Sequence, residues 1–116
     1  MFATVAIAVV AALHVGFLIL EMFLWKTAFG RRTFAMTPEF AEQSSVLAAN
    51  QGLYNGFLAA GLVWGLVSPV AGTEIKTFFL ACILVAGIYG GLTAKRSILV
   101  IQALPAAVAL GLLYFT

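Results

Sequence analysis

Residues 3–25, ATVAIAVVAALHVGFLILEMFLW, form an apolar run long enough to cross about 30 Å of hydrocarbon as a helix, yet they hold His14 and Glu21. An ionisable side chain at that depth is costly and ordinarily serves a site. Seven residues separate the two, which returns them to nearly the same helix face, about 10 Å apart along the axis. The expectation is that both look into one shared cavity.

Working outward, the rest of the chain repeats the apolar theme. The 116 residues are 64% hydrophobic and only 9% charged, with a mean hydropathy of +1.13, which excludes an ordinary water-soluble domain. Four stretches near the length needed to span a bilayer are read at about residues 3–25, 46–67, 75–93 and 98–115. The expected fold is therefore all-α, an integral membrane four-helix bundle that uses residues 1–116 as one domain. Met1–Phe2–Ala3–Thr4 lacks the basic start of a signal peptide, so the first stretch is read as a retained helix.

With four spans, the first and third connections share one side and hold Lys26, Arg31, Arg32, Lys95 and Arg96, whereas the other side has only Lys76. The positive-inside rule then predicts a bacterial cytoplasmic (inner) membrane protein with those loops in the cytoplasm and both termini outside. The same asymmetry accounts for the net charge of +2, so no nucleic-acid partner is expected. The lipid bilayer is the expected partner, with a small-molecule ligand and a homo-oligomer as further candidates. Cys82, the single cysteine, excludes an internal disulfide and reads as a small buried apolar residue.

Small residues mark where helices approach closely in lipid. Gly52 and Gly56, Gly61 and Gly65, Gly87 and Gly91, and Ala103, Ala107 and Gly111 all follow the small-xxx-small spacing. Pro105 cannot donate a backbone hydrogen bond, which predicts a kink or a freed carbonyl near Ile101. Trp25, Tyr114 and Phe115 suit the interfacial aromatic belt.

Polar residues gather in one half of the expected bundle. Asn50, Gln51, Tyr54 and Asn55 open the second span, and Tyr89 and Gln102 fall at about the depth of Glu21. Hydrogen bonds that serve only cohesion have no reason to collect at one end, so a cytoplasm-facing pocket is expected. Its candidate ligand-binding residues are His14, Glu21, Asn50, Gln51, Tyr54, Asn55, Tyr89 and Gln102. His14 and Glu21 are also the candidate acid and base, suited to proton exchange near neutral pH. A passive alternative pairs Glu21 with Lys26. No metal and no cofactor is expected, because one His and one inward carboxylate are too few ligands. The first loop mixes Phe29, Arg31, Arg32 and Phe34, a composition that favours the lipid surface. Beyond it, Thr37–Pro38–Glu39 reads as a helix start.

The motifs His14–Val15–Gly16–Phe17–Leu18–Ile19–Leu20–Glu21–Met22–Phe23–Leu24–Trp25 and Asn50–Gln51–Gly52–Leu53–Tyr54–Asn55–Gly56 resemble those of a family of small bacterial membrane proteins, domain of unknown function 1304. That resemblance covers the whole chain and implies a four-helix membrane protein without an assigned activity. In size the chain is also similar to the small multidrug resistance transporters, whose embedded glutamate is matched loosely by Glu21. It departs from them in its strong basic asymmetry and its amide cluster. Three roles stay open at this stage: a binding or transport protein centred on Glu21, a membrane-embedded acid/base enzyme acting on a lipophilic substrate, and a structural or assembly subunit.

Overall fold

A computed structural model describes residues 1–116 and contains helices and turns only. The helices are α1 (Phe2–Met22), α2 (Ala28–Thr33), α3 (Pro38–Val67), α4 (Gly72–Thr93) and α5 (Leu104–Phe115), with a π segment, Leu99–Ala103, leading into α5. Two compact units result: Met1–Ala12 with Leu58–Thr116, and Leu13–Phe57.

The all-helical expectation holds, and the apolar segments differ in kind. The 21-residue α1 and the 22-residue α4 are each long and apolar enough to cross a membrane. The 30-residue α3 is longer, about 45 Å, but Asn50, Gln51 and Asn55 dilute its apolar character. The last apolar stretch is divided into the π segment and the 12-residue α5. In the π segment the Leu104 N–H bonds Leu99 O, five residues back, and Pro105 follows in the first turn of α5. A widened turn here absorbs the hydrogen bond that proline cannot make.

In the first unit, Ile7, Val10, Ala11, Leu62, Leu80, Ile83, Ala106 and Ala109 form a buried cluster with no polar member. Glycines set the spacing around it. A β-carbon at Gly87 would lie 2.6 Å from the backbone nitrogen of Ala103, and one at Gly65 would lie 2.7 Å from Lys76 Cγ. Gly61 and Gly91 sit just as close to Phe79 and Leu99. α3, α4 and the π segment therefore pack through residues that lack a side chain. On the last helix the buried small residues are Ala103, Ala106 and Ala109, not the expected 103, 107 and 111; Ala107 is exposed and Gly111 faces open space. Tyr114 ends this unit by hydrogen bonding through its hydroxyl to Thr77 Oγ1 at 2.6 Å, while Thr77 donates to Thr73 O at 2.7 Å.

Candidate site around Glu21

The second unit, Leu13–Phe57, is held by its turns before its site is formed. Thr27 donates to Leu24 O at 2.6 Å and accepts from Gly30 N–H at 3.2 Å, joining the end of α1 to the start of α2. Gly30 is buried against the Leu24 carbonyl, with no room for a β-carbon. The α2 terminus closes with Ala35 N–H on Arg32 O and Met36 N–H on Arg31 O, and Ala35 takes a left-handed φ of 53°. The α3 start follows the sequence reading: Thr37 Oγ1 accepts from Phe40 N–H at 3.1 Å, with Pro38 in the first turn.

Trp25 and Ser44 then tie the two chain directions together, since the indole Nε1 donates to Ser44 Oγ at 3.0 Å and the ring packs on Phe34 at 4.8 Å. Lys26 pairs with Glu42 at 3.5 Å, both well exposed, and Arg31 Nη1 donates to Lys26 O at 2.6 Å. The passive pairing of Lys26 with Glu21 is thus replaced by one with Glu42, because the lysine lies past the helix end and faces the solvated start of α3.

Further along, Gly52 meets Met22 and the Glu21 β-carbon, and Gly56 meets Leu18. That close approach brings the α3 amides onto Glu21. Gln51 Nε2 donates to Glu21 Oε2 at 2.9 Å, and Asn55 Nδ2 donates to Oε1 at 2.5 Å. Glu21 and Asn55 are buried, 7% and 8% exposed. An ionised carboxyl can accept at about four lone-pair positions, so the two amides fix it in place and leave acceptor capacity. Beside this clamp an open cavity of about 270 Å³ is lined by Glu21, Met22, Phe23, Trp25, Lys26, Thr27 and Ser45.

The other expected ligand residues are placed differently. His14 is fully buried, stacked edge-on against Phe17 at 5.0 Å, and does not line the cavity beside Glu21. Asn50 and Tyr54 are exposed, and Tyr54 packs on Phe57. Tyr89 faces outward on α4, in an apolar groove with Phe78, Ala81, Cys82, Val85 and Ala86. Cys82 is accordingly half-buried on that groove and not sealed inside. Gln102 is half-buried on the π segment. Sequence reasoning passed over Trp25 and Ser45 as cavity walls. The signal available for them was position, one turn beyond Glu21 and the start of the α3 apolar run.

A family described as "Protein of unknown function (DUF1304)" matches residues 8–114, and the chain belongs to that family. It is also 33% identical over 102 residues to the uncharacterized protein YpaA of Lactococcus lactis subsp. lactis (strain IL1403), a match covering 85% of this chain and 86% of that protein. No solved structure matches.

Proposed function

We propose that this member of the DUF1304 family is a four-helix integral membrane protein of the inner membrane that binds or transports a small polar molecule at Glu21. The observation that carries the site is the clamped carboxyl group: Glu21 is buried, held by Gln51 and Asn55, and still lines an open cavity of about 270 Å³. A cavity of that size suits a small metabolite. Its chemistry favours a hydrogen-bond donor directed at the carboxyl, with the Trp25 ring, Lys26 and Ser45 around it.

Membrane insertion is supported by which residues are covered. Only 22% of the apolar window of α1 and 28% of that of α4 are buried, unlike the core helices of a soluble protein. Large apolar side chains such as Val9, Phe78, Val85 and Leu92 are exposed, whereas His14, Glu21 and Asn55 are inside. That pattern matches a hydrocarbon solvent. Basic residues at 26, 31, 32, 95 and 96 then favour cytoplasmic loops and outward termini.

The test is native mass spectrometry of protein extracted gently from its own membrane. Wild type is expected to carry a small co-purifying molecule that Glu21→Gln loses while helicity and detergent behaviour stay unchanged. The same adduct in both proteins sinks the assignment.

A structural subunit is the second reading, favoured by a specific fact: no buried polar side-chain atom lacks a partner. It predicts that Glu21→Gln lowers thermal stability and that neither protein carries a molecule. The acid/base enzyme receives no such support, because His14 does not line the cavity beside Glu21.

A further inference from the structure

We propose that the turn joining α4 to the π segment is a phosphate-binding site whose occupant is the headgroup of an anionic lipid. An open cavity of about 560 Å³ lies there, lined by residues 91–96 and Leu99. Lys95 and Arg96 are exposed at this turn, and neither is in an ion pair, since the structure's salt bridge joins Lys26 to Glu42. Their own unit contains one acidic side chain, Glu74, in the first turn of α4. It stands 21 residues before Lys95, about 30 Å away by helical rise, too far to neutralise either cation.

Two adjacent cations without a carboxylate partner, one a guanidinium able to bind two oxygens at once, match a phosphate group. The walls choose the source. Leu92 is 74% exposed, and Leu99 packs so closely on Gly91 that a β-carbon there has no space. Exposed apolar surface at Leu92 therefore adjoins the cations, with Leu99 as a further apolar wall, as a headgroup with an acyl chain requires and free phosphate does not. The phosphate chemistry stands on these residues alone, while the lipid source rests on the membrane reading above. The site is separate from Glu21, whose cavity shares no residue with it.

The experiment uses full-length protein, delipidated in detergent and titrated with phosphatidylglycerol or phosphatidylcholine, with bound lipid counted by native mass spectrometry. Phosphatidylglycerol is expected to bind about tenfold more tightly, with the preference weakened by salt and lost in Lys95→Gln/Arg96→Gln. Arg32→Gln, an exposed cation on α2, is expected to keep the preference. Equal binding of the two lipids overturns the proposal, as does a preference that survives the double variant or disappears equally in Arg32→Gln. Inorganic phosphate that binds alone and displaces phosphatidylglycerol, with the same sensitivity to the double variant, overturns the lipid source. Flotation of wild type and double variant with phosphatidylcholine vesicles reads insertion separately; failure of both to float overturns the membrane reading and the lipid source, not the phosphate chemistry.

Discussion

The two compact units solve the same packing problem with different chemistry. Met1–Ala12 with Leu58–Thr116 buries only apolar side chains and spaces its helices with glycine and alanine, whereas Leu13–Phe57 contains all three buried polar residues, His14, Glu21 and Asn55. The first unit packs through small residues and an apolar cluster, with an exposed Tyr114–Thr77 hydrogen bond beside them. The second unit adds a polar clamp, and that clamp lies beside a cavity. Glycine serves both units, but for different ends: Gly87 lets two backbones touch, and Gly52 lets an amide-bearing helix reach a carboxyl group.

The contrast can be broken most directly in the apolar unit. Gly87→Leu drives a side chain into the Ala103 backbone and should cost about 3 kcal/mol or leave no monodisperse protein in size-exclusion chromatography. Gly111→Leu, with nothing within 4 Å, should change the melting temperature little. Similar losses at both positions sink the close-packing account. In the polar unit, Asn55→Leu leaves one oxygen of Glu21 buried and unpaired, for a loss of about 2 kcal/mol in thermal unfolding. Gln51→Leu should cost about half as much, because Gln51 is exposed and solvent can replace it. The reverse ranking would move the anchor of the clamp from Asn55 to Gln51.

Smaller effects sharpen the account of the connecting turn. Ala35→Gly relieves a left-handed φ of 53° and should stabilise the unit by about 1 kcal/mol, read as a higher melting temperature. Lys26→Gln removes an exposed pair and should change stability by no more than about 0.5 kcal/mol. A larger loss there would tie the cavity mouth to the stability of the whole unit.

Much of the site was legible because polar residues in an apolar chain are conspicuous. Glu21, Gln51 and Asn55 stand out for that reason, and the Thr37 cap follows from a local pattern that needs no tertiary information. Which of eight candidates meet was not legible. Asn50 and Gln51 are neighbours in sequence, but a helix turns about 100° per residue, so one reaches Glu21 and the other faces away. Tyr89 was expected at the depth of Glu21, yet depth along an axis carries no information about azimuth. The π segment was anticipated only as a disturbance near Ile101, since proline marks where a bond is lost and the surroundings decide how the helix accommodates it.

An all-helical chain, its apolar segments, its basic asymmetry and the residues able to carry chemistry follow from the order of amino acids, because each depends on composition and short-range spacing. The tertiary structure decided that Glu21 is clamped by Gln51 and Asn55, that Lys26 turns to Glu42, and that His14 does not line the cavity at Glu21. Those outcomes depend on how far two backbones approach and at what rotation, and here the glycines at 52 and 56 and the Thr27–Gly30 turn fix both.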